Sequence, residues 1–239
     1  SDVCSSDLFL LVSYLAFNSS RRSEQNRVWV GLAKETAHQL GTPISSLIAW
    51  VDLFKDMETA PTPEMLEEIE KDVQRLRLVS ERFSKIGSTP ILEDMDIKSL
   101  IDQSVGYMST RASNKVSFEV HADELHNCFA RVNVQLFDWV LENITKNAID
   151  AMEGQGKIAF VLSETKNLIH IDISDTGKGI PSSKTKDVFK PGFTTKKRGW
   201  GLGLSLAKRI IEEYHRGKIF VKESTVGKGT TFRITLKKR

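Results

Sequence analysis

The sequence predicts an α+β protein in which a helical hairpin precedes a two-layer sandwich of helices on a mixed sheet. Residues 22–57 and 64–86 carry apolar side chains at mostly three- and four-residue spacing, which is typical of amphipathic helices. Two prolines in the intervening stretch ETAPTP, residues 58–63, predict a turn between these helices. Beyond residue 96, β-rich runs and helical patterns are mixed, and this order favours helices packed on a sheet.

The chain begins with two short segments that we expect to lie outside both domains. Residues 1–8, SDVCSSDL, resemble the in-frame translation of a sequencing-library adapter, and we expect them to be non-native. Residues 9–20 are expected to be the end of a truncated transmembrane helix. An uncharged, mostly apolar run is followed directly by arginines, as is typical on the cytoplasmic side of a transmembrane helix. As a helix, that run covers only about half of a hydrocarbon core, so a core helix and a signal-peptide segment are the alternatives.

The hairpin is expected to span residues 21–87. A lone hairpin leaves a long apolar stripe open on one side, and pairing two hairpins into a four-helix bundle would bury it. We therefore expect a homodimer through the hairpin; the alternative is that the stripe packs on the C-terminal domain. Residues 88–96, which follow the second helix and include a proline, are expected to form a linker.

The sandwich is expected to span residues 97–239. Its strands are predicted over 116–120, 158–163, 168–174, 218–222 and 230–236, and its helices over 132–152 and 201–214. The loop between residues 180 and 201 is long and rich in Lys, Gly and Thr, which indicates a functional lid.

The composition is ordinary for a soluble globular protein. Of 239 residues, 40% are hydrophobic and 27% are charged. The formal net charge of +3 gives no electrostatic basis for a nucleic-acid partner, and we expect none. Cys4 and Cys128 lie far apart without metal-ligand spacing, which disfavours a zinc site and a disulfide framework.

Three segments of the sandwich carry residues suited to nucleotide chemistry. In ENITKNAIDAM, residues 142–152, Asn143, Asn147 and Asp150 fall at i, i+4 and i+7 on one helical face. An amide oxygen there is a suitable Mg²⁺ ligand, and Lys146 is placed to reach a phosphate. The alternative interpretation of these residues alone is a solvated polar face.

In DISDTGKGI, residues 172–180, a hydrophobic strand ends at Asp175, and Gly177 and Gly179 allow a tight turn. An ionised carboxylate accepts hydrogen bonds only, so Asp175 would select the adenine amino group over the guanine carbonyl.

In FTTKKRGWGLGLSLAKRII, residues 193–211, Gly199, Gly201 and Gly203 precede an amphipathic helix. Glycines there let backbone N–H groups approach phosphate at a helix N-terminus, and the preceding lysines, arginine and threonines add charge and hydroxyls. A dinucleotide-binding fingerprint is the alternative, but no strand enters this segment directly and no ribose-binding acid follows.

These segments resemble the N, G1 and G2 boxes of the GHKL ATPase superfamily, and VFKPGFTTK, residues 188–196, resembles its F box. The resemblance implies an ATP-binding sandwich, with Asn147 as the Mg²⁺ ligand, Asp175 on the adenine amino group and a lid over about 181–200. The ATP-binding residues that it implies are Asn143, Lys146, Asn147, Asp150, Asp175, Gly177, Gly179, Ile180, Phe193, Thr194, Thr195, Lys196, Gly199, Gly201, Leu202, Gly203 and Leu204.

The stretch AHQLGTPISSL, residues 37–47, resembles the H box of sensor histidine kinases. The resemblance implies that His38 is the phosphoacceptor, and a neutral imidazole is a nitrogen nucleophile near pH 7. Gln39 stands where the family commonly has an acid, so Glu35, one helical turn before His38, is the candidate carboxylate. Thr42 matches the position linked in that family to dephosphorylation of the partner response regulator.

Pro43 has no backbone N–H to donate to the carbonyl four residues earlier. We therefore expect the helix to kink beside His38.

The expected function is that of a membrane-tethered sensor histidine kinase of two-component systems, with its kinase domains in the cytoplasm. It would phosphorylate His38 from ATP and Mg²⁺, pass the phosphoryl group to an aspartate of a separate response regulator, and also act as a phosphatase. The alternatives are a protein that mainly dephosphorylates its regulator and an ATP-binding pseudokinase. The other four histidines, at positions 121, 126, 170 and 215, are expected to be structural or surface residues.

Overall fold

The computed structural model describes residues 36–37, 40–57, 60–86, 90–122, 125, 128–196 and 201–239. The expectations for residues 1–8 and 9–20, for the helix over 22–35, and for Glu35, His38, Gln39, His126 and Gly199, lie outside these described residues. Within the described part, no helix combines the length and the apolar character that a membrane crossing requires.

The described part of the hairpin region contains a helix in each of the two predicted stretches. Helix α1 covers residues 40–56 and remains helical through Gly41 and Pro43, so the expected kink beside His38 stays a prediction. Helix α2 covers Pro63–Ile86. Thr62 begins it, because its carbonyl accepts from the Leu66 N–H at 3.1 Å. Apolar side chains remain exposed on both helices: Ile44, Ile48, Val51, Leu53, Leu66 and Val73.

The C-terminal region is built on a five-stranded mixed sheet. Its strands are β2 Val116–His121, β4 Gly156–Glu164, β5 Leu168–Asp175, β6 Lys218–Thr225 and β7 Gly229–Lys237. Their order in the sheet is β2-β4-β5-β7-β6, with β2 parallel to β4 and the other pairs antiparallel. All five predicted strands are confirmed, each extended by one to three residues.

Three helices cover one face of this sheet. They are α3 Ile97–Ser109, α4 Val134–Ala151 and α5 Gly203–Arg209, the last continuing as a π-helical segment over Ile210–Tyr214. Two 3₁₀ turns, Ser182–Lys184 and Asp187–Phe189, lie between β5 and α5. Along β5, Ile169, Ile171 and Ile173 are buried towards the helices, whereas His170 and Ser174 on the opposite face are only half-buried. The predicted α+β class and two-layer sandwich are confirmed.

The structure adds three elements that the sequence pattern does not reveal. Strands β1 Glu93–Asp96 and β3 Phe129–Val132 form a separate antiparallel pair, and α3 follows β1 directly. Asp96 begins α3, since its carboxylate accepts from the Lys98 N–H at 3.2 Å. Four of the residues expected in the linker over 88–96 are therefore part of β1.

Candidate functional site

A cavity of about 310 Å³ opens between α4, the end of β5, the start of α5 and the segment over 178–196. This volume lies at the lower end of the range for small-molecule sites. Most of the residues predicted to bind ATP line it: Asn147, Asp150, Asp175, Gly179, Ile180, Phe193, Thr194, Thr195, Lys196, Gly201, Leu202, Gly203 and Leu204. Asn143, Lys146 and Gly177 are not among the lining residues.

Asp175 is the buried acid of the cavity. It is the last residue of β5 and only 8% exposed. Its Oδ1 accepts from the Gly177 N–H at 2.8 Å. Burial raises the pKa of Asp175, although hydrogen bonds from the backbone N–H groups of Gly177 and Thr230 act in the opposite direction. An acceptor that faces a partly apolar cavity suits the recognition of an exocyclic amino donor.

The turn after Asp175 requires glycine because the backbone passes close to other backbone segments. Gly179 has φ of +72°, and a Cβ there would lie 2.2 Å from the Thr225 carbonyl oxygen. A Cβ at Gly177 would lie 2.7 Å from the Ala151 carbonyl carbon at the end of α4. These glycines therefore let the loop lie against β6 and α4, which holds Asp175 at the cavity wall.

Asn147 and Asp150 present oxygen atoms on the cavity face of α4. The Lys196 ammonium donates to Asn147 Oδ1 at 2.7 Å and to Asp150 Oδ2 at 2.5 Å. An amide oxygen and a carboxylate are ligands that Mg²⁺ accepts, and here they already hold one cation together. The donor set thus fits a magnesium nucleotide.

Two neighbours on α4 are placed differently from the expectation. Lys146 is exposed, and its ammonium pairs with Glu142 at 2.8 Å instead of facing the cavity. Asn143 packs beneath the start of α5, where a Cβ on Gly203 would lie 3.2 Å from Asn143 Oδ1. Its buried Nδ2 has no hydrogen-bond partner among the described residues.

Several lining residues were not predicted from the sequence: Ala151, Lys178, Pro181, Lys184, Val188, Thr230 and Phe232. Lys178 lies between the two glycines of the G1-like segment, and Val188 lies within the F-like segment, so both had a local signal. Thr230 had no local sequence signal. It reaches the cavity because β7 pairs with β5, which places Thr230 opposite Asp175.

The structure describes only part of the segment that resembles the H box, residues 37–47. Thr36 and Ala37 are helical, and the helix is described again from Leu40 onwards. Thr42 is exposed, whereas Pro43 is buried. The positions of His38, Gln39 and Glu35 relative to the cavity lie outside the described residues.

Three of the four remaining histidines lie among the described residues, and their surroundings are structural or at the surface, as predicted. His121 is exposed and lies 3.0 Å from Glu119 Oε2, and His170 Nδ1 lies 3.2 Å from the Thr235 hydroxyl. His215 is buried, and its Nε2 accepts from the Asn133 N–H at 3.0 Å. Its Nδ1 lies 2.8 Å from the Ile210 carbonyl oxygen and must carry the proton, because a carbonyl only accepts.

Residues 133–239 match the protein family described as histidine kinase-, DNA gyrase B-, and HSP90-like ATPase. The chain is 32% identical over 234 residues to the sensor histidine kinase ZraS of Escherichia coli (strain K12), covering 95% of this chain and 50% of ZraS. It is 27% identical over 225 residues to sporulation kinase A of Bacillus subtilis (strain 168), covering 91% of this chain and 36% of that kinase. The chain therefore spans half or less of these curated relatives.

Solved structures with the same fold are also histidine kinases. The catalytic domain of the histidine kinase ThkA superimposes with a TM-score of 0.55 at 26% identity, covering 62% of this chain and 95% of that domain. A structure of ThkA in complex with the response regulator protein TrrA covers 95% of this chain and 66% of that chain, with a TM-score of 0.59. At 22% identity, the second likeness concerns the fold alone. The four boxes, the mixed sheet beneath three helices and these relatives agree: residues 133–239 form a domain of the histidine kinase-, DNA gyrase B-, and HSP90-like ATPase family, and the chain is similar to sensor histidine kinases over more than nine-tenths of its length.

Proposed function

We propose that this chain is the kinase core of a two-component sensor histidine kinase that phosphorylates itself on His38. The observation that carries the proposal is the cavity, in which one buried carboxylate and one cation-holding oxygen pair face the same space. Asp175 would accept from the adenine amino group, and Asn147 would hold Mg²⁺ beside Asp150. The phosphoryl group would then pass to an aspartate of a separate response regulator.

ATP would supply the phosphoryl group in this reaction, and Mg²⁺ held by Asn147 would neutralise charge on the phosphates. The His38 imidazole, in its neutral form, attacks the γ-phosphorus; the bond from that phosphorus to the bridging oxygen breaks, and ADP leaves. Lys196, at the cavity wall beside Asn147, adds positive charge on the same side. Positioning and charge neutralisation are the main demands of phosphoryl transfer, and a fixed acceptor for adenine with oxygen ligands on α4 meets both.

The experiment is incubation of the chain with γ-labelled ATP and Mg²⁺. Autophosphorylation predicts label that is acid-labile and alkali-stable, and that disappears in His38→Ala. Asn147→Ala should reduce labelling at least a hundredfold while the chain remains folded, because the Mg²⁺ ligand is lost. Label that survives in His38→Ala would show that another residue is the acceptor.

A second candidate function is dephosphorylation of the response regulator. It is favoured by the exposed Thr42 on α1, four residues after His38, and by Gln39 in place of an acid. Rapid loss of phosphate from a phosphorylated regulator, without label on the wild-type chain, would favour this function over the kinase.

We also propose the organisation in which the activity works. The hairpin over 21–87 would form a homodimer, residues 97–239 would bind ATP, and residues 9–20 would attach the chain to the plasma membrane with the catalytic part in the cytoplasm. The support for the dimer is the row of exposed apolar side chains on α1 and α2.

A further inference from the structure

Lys196 pairs with two oxygen-bearing side chains at the cavity wall. Its ammonium lies 2.7 Å from Asn147 Oδ1 and 2.5 Å from Asp150 Oδ2, so it bridges the two oxygen ligands on the cavity face of α4. The side chains remain partly exposed, Lys196 at 40% and Asp150 at 54%. The contact is therefore close but accessible to ions from solvent.

The backbone that carries Lys196 is fixed at its base. The Gly192 N–H donates to the Gly201 carbonyl at 3.1 Å, and the Phe193 N–H donates to the Lys190 carbonyl at 3.1 Å. The Lys196 N–H donates to the Thr194 hydroxyl at 3.1 Å. Beyond this base, the two bonds from the Lys196 ammonium tie the segment to α4.

The same oxygen atoms cannot serve an ammonium and Mg²⁺ at once. Two cations that share Asn147 Oδ1 would lie within a few ångströms of each other, where like charges repel strongly. We propose that Lys196 is a built-in counter-cation that occupies the magnesium position of the nucleotide-free chain and is displaced when magnesium nucleotide binds. This inference rests on the proposed function, and it makes Lys196 a positioning residue that sets the Mg²⁺ concentration required for nucleotide binding.

The other cavity lysines provide a comparison within the same site. Lys178 and Lys184 also line the cavity, but the described hydrogen bonds of Asn147 and Asp150 come from Lys196. The Lys184 ammonium lies 5.8 Å from the centre of the Phe193 ring. Lys184→Met thus removes the same charge from the same cavity without freeing the two oxygens.

The test measures binding of a fluorescent ATP analogue to the 239-residue chain, first in EDTA and then across a range of free Mg²⁺. In Lys196→Met, the Mg²⁺ concentration for half-maximal binding should fall about threefold to tenfold, because the competing ammonium is absent. Lys184→Met should shift that midpoint by less than about twofold, because Lys196 still pairs with Asn147 and Asp150. Lys196→Arg should stay near wild type, because a guanidinium keeps a positive charge beside the same two oxygens.

The contrary outcomes are distinct. An unchanged Mg²⁺ midpoint in Lys196→Met, or an equal shift in Lys184→Met, would overturn the counter-cation role while leaving nucleotide binding intact. Weaker binding of Lys196→Met in EDTA, with no change of midpoint, would show that Lys196 is a standing phosphate ligand instead. A wild-type chain that binds no adenine nucleotide at any Mg²⁺ concentration would overturn the proposed function together with this inference.

Discussion

Two aspartates on one strand show how neighbouring residues are given opposite roles. Asp172 faces away from the helices, and although burial alone would raise its pKa, hydrogen bonds from Arg233 and Lys222 lower the pKa overall. Arg233 reaches both carboxylate oxygens of Asp172 at 2.6 Å. Asp175, three residues later and on the cavity face, is held by backbone N–H groups, and its pKa is raised. The first carboxylate stabilises the sheet, whereas the second is kept available for a ligand.

Asp175→Asn should separate stability from nucleotide recognition. Because the pKa of Asp175 is raised in the folded chain, the folded state binds more protons than the unfolded state between about pH 4 and the folded pKa. Stability therefore falls as pH rises through that window, and the variant avoids this loss. We expect its melting temperature at pH 7.5 to equal or exceed that of wild type, with no such advantage at pH 4, while ATP binds at least tenfold more weakly.

Asp172→Asn is the matched control for this prediction, since the same change on the other face leaves Arg233 and Lys222 without their carboxylate. It should lower the free energy of unfolding by about 1–3 kcal/mol without directly altering the cavity. Thermal melts of both variants and ATP titrations provide the measurements. A large destabilisation of Asp175→Asn at pH 7.5 would contradict the assigned cost of its buried charge.

At the scale of elements, helix α4 connects the cavity to the rest of the sandwich domain. Its cavity face carries Asn147 and Asp150, and its first turn is capped by Asn133, whose Oδ1 accepts from the Leu136 N–H at 3.1 Å. The Asn133 N–H in turn donates to His215 at the end of the π-helical segment. One neutral imidazole thus connects the start of α4 to the end of the π-helical segment that continues α5.

This connection should make stability depend on pH. Burial lowers the pKa of His215, although the hydrogen bond from its Nδ1 to the Ile210 carbonyl raises it in part. Below about pH 6.5 the unfolded chain takes up a proton that the folded imidazole resists, so wild type loses stability as pH falls. His215→Gln should be less stable by about 1–2 kcal/mol at pH 7.5, and the gap should narrow by pH 5.5.

Denaturant unfolding at the two pH values measures the gap, and His121→Gln controls for the removal of an exposed histidine. A gap that stays constant from pH 7.5 to 5.5 would mean that His215 titrates alike in the folded and unfolded chain, contrary to the expected role of its Nε2 as an acceptor.

The elements that the sequence pattern predicts are those whose own residues decide their structure. Strands β4 to β7 and helices α4 and α5 have clear apolar runs or periodicity, and the structure places their boundaries within about three residues of the predicted ones when α5 is counted with its π-helical continuation to Tyr214. Strands β1 and β3 are four residues each, and β1 reads EDMD, so neither has a recognisable pattern. They exist because each supplies the other with a hydrogen-bonding partner, which is a long-range property.

The residues of the site also fall into those that a local motif predicts and those that only the packed structure places. Asp175 and the residues of the four boxes were predicted because each box is a local motif. Lys146 and Asn147 are adjacent, yet about 100° of helix rotation separates them, and only the packed structure decides which one faces the cavity. Thr230 was missed because strand pairing, and not its own surroundings in the sequence, brings it beside Asp175.

At the scale of the whole molecule, the two regions differ in how completely they bury their apolar side chains. The sandwich encloses a continuous core in which Phe137, Phe160 and Ile171 are fully buried. On the hairpin, Ile48 is 57% exposed and Val51 is 53% exposed. A stable domain does not ordinarily leave several large apolar side chains in water along one pair of helices. The hairpin therefore has the surface expected of half an interface.

The exposed apolar face of α1 makes pairing of two hairpins testable at Ile48. If two hairpins pair, Ile48→Asp places a carboxylate in the interface from each protomer, and the loss of about 1.5–3 kcal/mol of apolar burial per copy should raise the dimer dissociation constant at least a hundredfold. Ile91→Asp is the matched control, because Ile91 is 77% exposed but lies outside the hairpin. Sedimentation velocity across a concentration series should show wild type and Ile91→Asp as dimers, and Ile48→Asp as a monomer with an intact catalytic domain. A monomeric wild-type chain would overturn the dimer and leave the exposed face of α1 to another partner, and equal dissociation of the two variants would place the dimer interface elsewhere.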